Sequence, residues 1–356
     1  MKLNLGPLRE EDYKKWNRFI KSNPSSTIFH TIRWKKVIEK TFDYKPNYSV
    51  LKNSEDEIVG IFPSFLIKAL FGKVIISQPF FEYGGPLVKK GYEKEGYRDI
   101  LNFYKEKVES REIKYIEIKV LSEKNDKYFI EAGFKKQFKA FNFFIDIKGK
   151  DFEKDIWSKM YTAKSRVKNS VRKAAKNGVK IVEKNDIELY YDIYLKTIER
   201  LGSLPFPKAL FENIKKYISP FVRFRFAYLE ERPIAAMMSF PYNGRDLMVS
   251  LVSDNLYYQY RANDLLYNQE IKYATEKKFD IIDLGRTRPN SSYEAYKKKW
   301  GATRINLYSY IYPPWEAESI NPYRLYLLFS PLTKKNPLWK IFTRTKMGEY
   351  LVRKFP

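Results

Sequence analysis

Residues 222–253 read VRFRFAYLEERPIAAMMSFPYNGRDLMVSLVS, and their pattern predicts three consecutive β-strands. A turn at 231–233 separates the first two apolar runs, and Asn243-Gly244 separates the last two, a dipeptide typical of two-residue hairpin turns. The helix-forming segment ANDLLYNQEIKYATEKK (262–278) and the strand FDIIDLG (279–285) follow. Ser291 and Glu294 have the spacing of a capping box, which predicts a short helix in SSYEAYKKKW, and RINLYSYIY forms a last strand.

The same order of three strands, helix, strand, helix and strand is predicted in the first half of the chain. The segments are YKPNYSVLK, EIVGIFPSFLIK, KVIISQPFFEY, the helix 93–110, KYIEIKVL, NDKYFIEAGF and KKQFKAFNFFIDI. The pattern repeats at a spacing of roughly 175 residues, which favours a duplicated domain over a solenoid. We therefore expect an α+β protein with mixed sheets in two tandem domains, 1–150 and 151–315, followed by a basic segment 316–356.

A regular basic helix is predicted at the start of the second domain, over residues 153–177. Its apolar stripe is formed by Ile156, Met160, Ala163, Val167, Val171 and Ala174. Residues 161–180 carry seven basic side chains and no acid. Two interpretations remain open for this face, a solvated surface and a phosphate-binding surface. The residues of the second interpretation are Lys164, Arg166, Lys168, Arg172 and Lys173.

Composition excludes several kinds of site. The chain has no cysteine and one histidine, His30, so disulfides, thiolate metal sites, thiol nucleophiles and histidine-rich metal sites are not expected. No apolar run is long enough to span a bilayer and no signal-peptide pattern opens the sequence, which predicts a cytoplasmic protein. The formal charge of +25 fits a polyanionic partner, such as RNA, an anionic membrane or a phosphorylated substrate. Abundant Lys, Glu, Ile and Tyr also fit a thermophilic source.

An ordered set of motifs resembles the FemAB-related proteins, which carry two tandem domains of the GNAT acyltransferase fold. These motifs are FHTIRW, EIVGIFPSFL, SQPFFEYGGPLV, SRVKNSVRKAAKNGVKI, LGSLPFPKALF and DLGRTRPNSSYEAYKKKWGA, between residues 27 and 312. The resemblance implies an enzyme that moves an amino acid from aminoacyl-tRNA to an amine of a cell-wall or glycan precursor, forming a peptide bond. Such chemistry needs a carbonyl held beside a neutral amine and a donor for the developing oxyanion.

The loop before the main helix of the second domain argues against an acyl-CoA donor. GNAT enzymes normally carry Q/R-x-x-G-x-G/A there, so that bare backbone amides can hold the pyrophosphate. Here the loop reads QYRAND (259–264), in which Ala262 replaces a glycine and Asp264 places a carboxylate beside the expected phosphates. No cofactor and no metal are therefore expected.

The stretch DLGRTRPNSSYEAYKKKWG (283–301) holds the predicted catalytic residues. The resemblance assigns Tyr296-Lys297 to an aromatic–lysine pair whose lysine stabilises charge, against the alternative of a solvated lysine. Arg286 is placed to clamp a phosphate or carboxylate, or to pair with Asp283 or Glu294. Asp283 is predicted as a weak general base or as a carboxylate that orients Arg286. Lys298 and Lys299 are expected to face solvent.

The remaining candidates form the walls of an acceptor cleft expected between the two domains. The substrate-binding residues are Arg33, Trp34, Tyr83, Arg200, Arg286, Tyr293 and Tyr296. His30 is expected to pack or cap a turn, although related proteins carry glutamine there. Gly84-Gly85 is expected to form a turn, with backbone approach to a ligand as the alternative.

The C-terminal segment 316–356 mixes apolar and basic residues, so it either packs back on the first domain or lies on an anionic membrane surface. The second alternative would place the protein at the inner face of the membrane. Two rival functions also remain, a CoA-dependent N-acyltransferase of polysaccharide biosynthesis and a non-catalytic RNA- or membrane-binding protein on a GNAT scaffold.

Overall fold

A computed structural model describes residues 3–69, 72–81, 83–161, 166–316 and 352, and these residues form two compact units. Unit 1 holds the described residues up to 139 and those from 307 onward, and unit 2 holds residues 140–306. Both changes of unit fall inside strands, at 139/140 and 306/307, whereas the sequence predicted domain boundaries at 150 and 315. The predicted C-terminal segment lies outside the described residues, apart from Glu316 and Val352.

The first repeat of the chain forms nine strands and four α-helices among the described residues. They are β1 Asn4–Pro7, α1 Tyr13–Ser22, α2 Ile32–Phe42, β2 Lys45–Pro46, β3 Ser49–Lys52, β4 Ile58–Phe62, β5 Phe65–Ala69, β6 Gly72–Ile76, β7 Leu87–Val88, α3 Glu93–Glu109, β8 Tyr115–Val120, α4 Asp126–Glu131 and β9 Lys135–Asp146. Helix α3 is amphipathic, and it buries Tyr97, Ile100, Leu101, Tyr104 and Val108 in the core of unit 1.

Unit 1 contains two groups of paired strands. An antiparallel sheet has the order β1-β3-β4-β7, and a second group runs β2-β5-β6-β8, in which β6 and β8 are parallel. The segment EIVGIFPSFLIK was predicted as one strand, but it forms β4 and β5, which belong to the two different groups. The break falls at Pro63 and Ser64, since proline has no N–H for a ladder and Ser64 Oγ donates to the Asn47 carbonyl (2.6 Å).

The second repeat begins with a π-helix and continues through five α-helices and six strands in the described residues. They are the π-helix Phe152–Met160, α5 Val167–Lys176, β10 Val179–Glu183, α6 Ile187–Leu201, α7 Lys208–Ile218, β11 Arg223–Leu229, β12 Arg232–Tyr242, β13 Arg245–Ser253, α8 Ala262–Glu276, β14 Ile281–Thr287, α9 Ser292–Lys298 and β15 Thr303–Tyr312. The predicted hairpin turn is confirmed, because Asn243 and Gly244 both have positive φ angles.

The strands of unit 2 run in the order β10-β11-β12-β13-β14-β9, antiparallel except for the parallel pair β13 and β14. Helices α5 and α8 pack against this unit's core, to which Val171, Leu266 and Trp300 contribute buried side chains. Trp300 is fully buried.

Two predicted helix features of unit 2 are wrong. The predicted helix 153–177 is two helices, because the π-helix ends at Met160 and α5 begins after Arg166, which has a positive φ angle of 56°. The predicted capping box at Ser291 does not form, since Ser291 is the N-cap residue of α9 but its side chain makes no capping hydrogen bond.

The last strand of each repeat lies at least partly in the other unit. Residues 141–146 of β9 pair with β14 in unit 2, although β9 ends the first repeat. Residues 308–312 of β15 pair with β8 in unit 1, although β15 ends the second repeat. We call this arrangement the strand exchange. Each unit is therefore completed by a strand from the other half of the sequence.

Candidate functional site

The candidate site of unit 2 lies where β13 and β14 part. The two parallel strands are paired only over 245–247 and 281–283, and the register ends at Leu247 and Asp283. Residues 248–253 and 284–287 continue beyond that point. Gly285 turns the backbone here with a φ angle of 72°, and a Cβ at this position would lie 3.1 Å from the Met248 carbonyl oxygen. The sheet therefore opens at this place, and its edge groups become available to other partners.

The side chain of Lys297 lies against β14 at this opening. It lies in the last turn of α9 with 4% of its surface exposed, and its Nζ donates to the carbonyls of Gly285 (2.8 Å) and Arg286 (2.9 Å). Burial lowers the pKa of the Lys297 ammonium to about 7, and nearby Asp283 opposes that shift. The prediction left open a solvated lysine, and the structure excludes that alternative.

The Lys297 ammonium can act as a donor to an oxyanion. An ammonium carries three donors, and two of them are directed at the β14 carbonyls, so a third remains. In a buried position such a donor acts more strongly on developing negative charge than it would in water. The lowered pKa also allows Lys297 to exist as a neutral amine near pH 7.

Asp283 is held in place by neighbouring groups of unit 2. It is fully buried, and its Oδ1 accepts from Asn142 Nδ2 (2.9 Å) and from the Gly285 backbone N–H (2.8 Å). Its Oδ2 accepts from Arg245 (2.9 Å). Arg245 is thus a charged partner of Asp283 that the sequence did not predict. Because both oxygens already accept hydrogen bonds, the arrangement favours orientation of the Gly285 turn over proton abstraction.

Arg286 lies on the exposed side of the opening. A register shift between β14 and β9 occurs between Asp283 and Arg286, so this residue follows an irregular turn of the strand. Its side chain is exposed, while its carbonyl accepts from Lys297. Glu294, the alternative partner predicted for Arg286, pairs with Lys298 and Arg304.

A cavity of about 350 Å³ lies at the N-terminal end of α8, and we call it the α8 pocket. Its lining includes three predicted residues, Arg200, Tyr293 and Tyr296. Tyr296 precedes Lys297 in α9, so the pocket and the opening share this helix. The Arg200 guanidinium lies 5.6 Å from the Tyr258 ring centroid.

Apolar side chains are unusually exposed around the α8 pocket. Leu256 is 70% exposed, Tyr258 43% and Tyr293 41%. Exposed aromatic surface at the mouth of a cavity, beside arginine, is suited to stacking against a planar group such as a nucleobase. The 3₁₀ segment Asn255–Tyr260 supplies most of this surface.

The acids of the α8 pocket form ion pairs with lysines of unit 2. Asp264 forms an ion pair with Lys299, and Asp254 pairs with Lys196 (3.4 Å) and caps the Leu256 backbone N–H. Lys299 was predicted to face solvent, which is wrong, because its side chain is only 22% exposed and reaches Asp264. Lys298 is exposed, as predicted. The carboxylate of Asp264 is thus a fixed part of the pocket.

Two of the predicted acceptor residues of unit 1 are buried in its core, and the third is exposed at the surface. Trp34 is fully buried and packs edge-on against Phe29 and Phe81, while Tyr83 packs against the same Phe29. These contacts correct the prediction for Trp34 and Tyr83, whose side chains lie in the core. Arg33 is exposed on α2.

His30 is a structural residue. Its Nδ1 accepts from the Thr27 backbone N–H (3.0 Å), so its protonated Nε2 donates to the Gly85 carbonyl (3.1 Å). Burial lowers its pKa to about 4, against the opposing effect of these backbone bonds. The predicted packing role is confirmed, and the imidazole is neutral at neutral pH.

Gly84 and Gly85 are not left-handed turn residues. A Cβ on Gly85 would lie 2.9 Å from Val120 Cγ1 and 3.0 Å from the Lys119 carbonyl oxygen. The glycine pair therefore permits close packing against β8, which was neither of the two predicted roles.

The predicted phosphate-binding residues cluster around α5. Arg166, Arg172 and Lys173 are exposed, Lys168 donates to the Ser158 carbonyl (3.3 Å), and Lys164 lies outside the described residues. The opposite face of α5 buries Val167, Val171 and Ala174. The guanidinium of Arg172 lies 5.9 Å from the Trp157 ring centroid.

Sequence reasoning missed Asn142 and Arg245, which hold Asp283, and Tyr258 and Arg261 of the α8 pocket. Asn142 belongs to the first repeat, so nothing near Asp283 in the sequence indicated it. A signal existed for the pocket, because NLYYQYR (255–261) places three tyrosines and an arginine immediately before the main helix.

Residues 162–298 match the family model described as an acetyltransferase (GNAT) domain. Solved structures extend the likeness to both units. FemX is similar over 92% of this chain and all of its own, with a TM-score of 0.67 and 16% identity. A tandem GNAT protein from the clavulanic acid biosynthesis pathway covers 87% of this chain and 98% of its own, with a TM-score of 0.56 and 11% identity.

The C-terminal domain of a putative lysylphosphatidylglycerol synthetase from Agrobacterium fabrum is also similar, with a TM-score of 0.55 and 10% identity over 86% of this chain and 93% of its own. No curated protein sequence matches the chain. The tandem GNAT fold is thereby confirmed, and the likeness to FemX is a likeness of fold. In the described part of the chain, no helix combines the length and apolar character needed to cross a membrane.

Proposed function

We propose that the protein is an N-acyltransferase that moves an aminoacyl group from aminoacyl-tRNA to an amine of a cell-envelope precursor. The observation that carries this proposal is Lys297, a buried donor held beside the opening between β13 and β14. The names of two similar structures, FemX and a putative lysylphosphatidylglycerol synthetase, support an aminoacyl donor.

The α8 pocket is the proposed site for the donor's 3′ end. Exposed Tyr258 and Tyr293 offer stacking surfaces for a terminal base, and Arg200 and Arg261 offer charge to a phosphate. Asp264 supports this choice over acyl-CoA, because a buried carboxylate at the start of α8 repels a pyrophosphate at the helix N-terminus. The exposed cations Arg166, Arg172 and Lys173, with Lys168, are proposed to contact RNA further from the site.

In the proposed reaction, the neutral amine of the acceptor attacks the ester carbonyl of the donor. A C–N bond forms, the carbonyl oxygen becomes an oxyanion, and Lys297 donates to that oxygen. The tetrahedral intermediate then breaks its C–O bond, and the leaving hydroxyl of the ribose takes up a proton. The proton that the amine loses passes to water, so the chemistry needs no histidine.

Replacement of Lys297 tests this role directly. Lys297→Met is expected to lower single-turnover transfer by about 10²–10³-fold, the usual cost of losing one oxyanion donor. The transfer rate divided by the neutral fraction of the acceptor amine should fall as pH rises through about 7, because deprotonation removes the ammonium form of Lys297. Charged tRNA is incubated with muropeptide, pseudomuropeptide and sugar-amine acceptors, and products are measured by mass spectrometry.

Lys298→Met is the matched control, because Lys298 is the next residue of α9 and is exposed. It should retain full activity and the same pH profile. Thermal unfolding of both variants separates loss of chemistry from loss of the β14 contacts. Undiminished transfer by Lys297→Met at saturating substrate would contradict the catalytic role.

A CoA-dependent N-acyltransferase is the second candidate, favoured by the match of residues 162–298 to an acetyltransferase (GNAT) domain. Calorimetric titration with acetyl-CoA separates the two functions. Saturable binding in the α8 pocket, strengthened by Asp264→Gly, would support the CoA-dependent function. An absence of acetyl-CoA binding alongside transfer from charged tRNA supports the first proposal.

A further inference from the structure

The backbone turn at Gly285 is contacted by side chains on both faces of the sheet. On one face, Asp283 Oδ1 accepts from the Gly285 backbone N–H (2.8 Å), a local bond that fixes an Asx turn. On the other face lies the core residue Phe143, and the Lys297 ammonium is 5.9 Å from its ring centroid. Since side chains alternate along a strand and Leu284 also belongs to that core, Asp283 points away from it. Asp283 and Lys297 therefore bind the same turn from opposite faces.

Two side chains hold Asp283 on its face of the sheet. Asn142 Nδ2 donates to Asp283 Oδ1 (2.9 Å), the oxygen that also accepts from Gly285, and Arg245 binds Oδ2 (2.9 Å). Asn142 is fully buried, while the Arg245 side chain is 21% exposed. They come from the two strands beside β14, namely β9 and β13. Since Lys297 donates to carbonyls of β14, an effect of either side chain on Lys297 passes through Asp283.

The amide of Asn142 is only half used within the described residues. Its Nδ2 binds Asp283, but its Oδ1 is buried and has no hydrogen-bond partner among them. A buried acceptor without a partner lowers the stability of a fold, so packing alone would favour an apolar side chain at this position. Such local inconsistencies are expected at functional sites. The amide therefore indicates a role for its donor beyond packing.

We propose that Asn142 and Arg245 are positioning residues of the transfer reaction, which act on Lys297 by holding Asp283 against the Gly285 turn. This inference rests on the proposed function of Lys297. With the turn fixed, the two β14 carbonyls keep their spacing, and the remaining donor of the ammonium keeps one direction in the opening. The negative charge of Asp283 also favours the ammonium form over the neutral amine.

Asp283 supplies the charge that acts on Lys297. The other titratable or charged side chains of the surrounding elements are Arg286 on β14, Glu294, Lys298 and Lys299 on α9, Asp264 on α8, Arg304 on β15 and Asp246 on β13. Glu294 pairs with Lys298 and Arg304, and Asp264 pairs with Lys299. Burial raises the pKa of Asp246 to about 7, so this carboxyl titrates in the same range as Lys297 and needs its own control.

Kinetics of the full chain test the positioning role through double-mutant cycles. Asn142→Leu and Arg245→Met should each lower kcat about tenfold and leave both KM values unchanged, whereas Arg245→Lys should retain most of the activity. In the Lys297→Met background the same changes should have no further effect, because the ammonium through which they act is gone. Lys148→Met is the matched control, since Lys148 pairs with Asp280 just before β14 in an exposed position (3.3 Å).

A second measurement needs no substrate. The pKa of Lys297 is followed by NMR of its ¹³Cε signal, which is assigned by its absence from Lys297→Met. The midpoint should rise in Arg245→Met, where the Asp283 charge is no longer shared with a cation, and it should fall in Asp283→Asn. It should stay unchanged in Lys148→Met and in Asp246→Asn.

The two measurements separate this inference from the proposed function. Lys297-dependent transfer with unchanged midpoints, or additive losses in the Lys297→Met background, would overturn the inference and leave the function standing. Shifted midpoints in a protein that transfers no aminoacyl group would contradict the function, while supporting the action of Arg245 on Lys297 through Asp283.

Discussion

Lys297 and His30 are both buried and titratable, yet the structure uses them differently. Lys297 donates to two carbonyls beside an opening in the sheet, so it retains a donor for a ligand. Both ring nitrogens of His30 are occupied by backbone groups within unit 1. The difference lies in the remaining hydrogen-bonding capacity of each side chain, since burial lowers the pKa of both.

His30 predicts a specific dependence of stability on pH. Its pKa is about 4 when folded and 6.5 when unfolded, so the unfolded chain binds an extra proton between these values. The free energy of unfolding should therefore fall as pH decreases from 6.5 towards 4, by up to about 3 kcal/mol from this residue. Chemical denaturation of the protein and of His30→Gln, measured in steps of pH, checks the prediction.

His30→Gln is suitable because an amide can accept from Thr27 and donate to Gly85, and because the chain contains one histidine. Its stability should fall less steeply than that of the unaltered protein over the same range. Parallel pH dependences in the two proteins would show that His30 is already protonated when folded.

At the scale of elements, α8 is joined to its sheet by a buried ion pair. Glu270 on α8 accepts from Arg225 on β11 and from Ser239 on β12 (2.8 Å), and Glu270 is 1% exposed. Arg225→Met leaves this carboxylate buried without its cation. We expect a loss of about 3–5 kcal/mol in the free energy of unfolding, measured by denaturant titration.

The double variant Arg225→Met with Glu270→Leu should recover most of that loss, because it removes the unpaired charge as well. Lys272→Met is the control, since Lys272 is partly exposed and pairs loosely with Glu276 on the same helix. A loss of similar size in Lys272→Met would show that general damage to α8 explains the result.

The order of helices and strands was predictable because turn residues and apolar periodicity act within a few residues of the sequence. The Asn243-Gly244 turn and the alternation of apolar residues around it correctly predicted the hairpin of β12 and β13. The break after Met160 was not predictable, since the apolar stripe continues in register across it from Ile156 to Val167. Periodicity records which face is buried, but it does not record whether the backbone is continuous.

The candidate site was predictable only in part for a related reason. The resemblance indicated Lys297. The residues that surround it could be identified only once the pairing of the strands was known. Arg245 lies one strand from Asp283 along the sheet, and Asn142 lies on the strand at its other side. Neither neighbour follows from the pattern around Asp283, because pairing partners are set by the whole sheet.

At the scale of the whole molecule, the strand exchange determines which fragments can fold. Unit 1 needs residues 308–312, where Tyr310 stacks on Phe129 (4.2 Å between ring centroids) and Ser309 donates to Glu117 (2.7 Å). A fragment of residues 1–150 lacks this strand, so one edge of β8 is left unpaired. We expect this fragment to aggregate or to unfold without cooperativity.

Joining residues 303–316 to residues 1–139 through a flexible linker should restore cooperative unfolding. Circular dichroism and thermal unfolding measure the difference between the two fragments. The matched control is the same fusion with Tyr310→Asp, which should behave like the fragment without the strand. Cooperative unfolding of residues 1–150 at the temperature of the fusion would contradict the prediction.

The strand exchange also fixes an order of events on the ribosome. Synthesis proceeds from the N-terminus, so most of unit 1 emerges early, yet its β8 edge stays open until residue 312 has left the exit tunnel. Unit 2 receives residues 141–146 before the rest of its sheet is made. The half of the protein that is made first is therefore completed last, and throughout elongation its open edge is a surface for chaperones to cover.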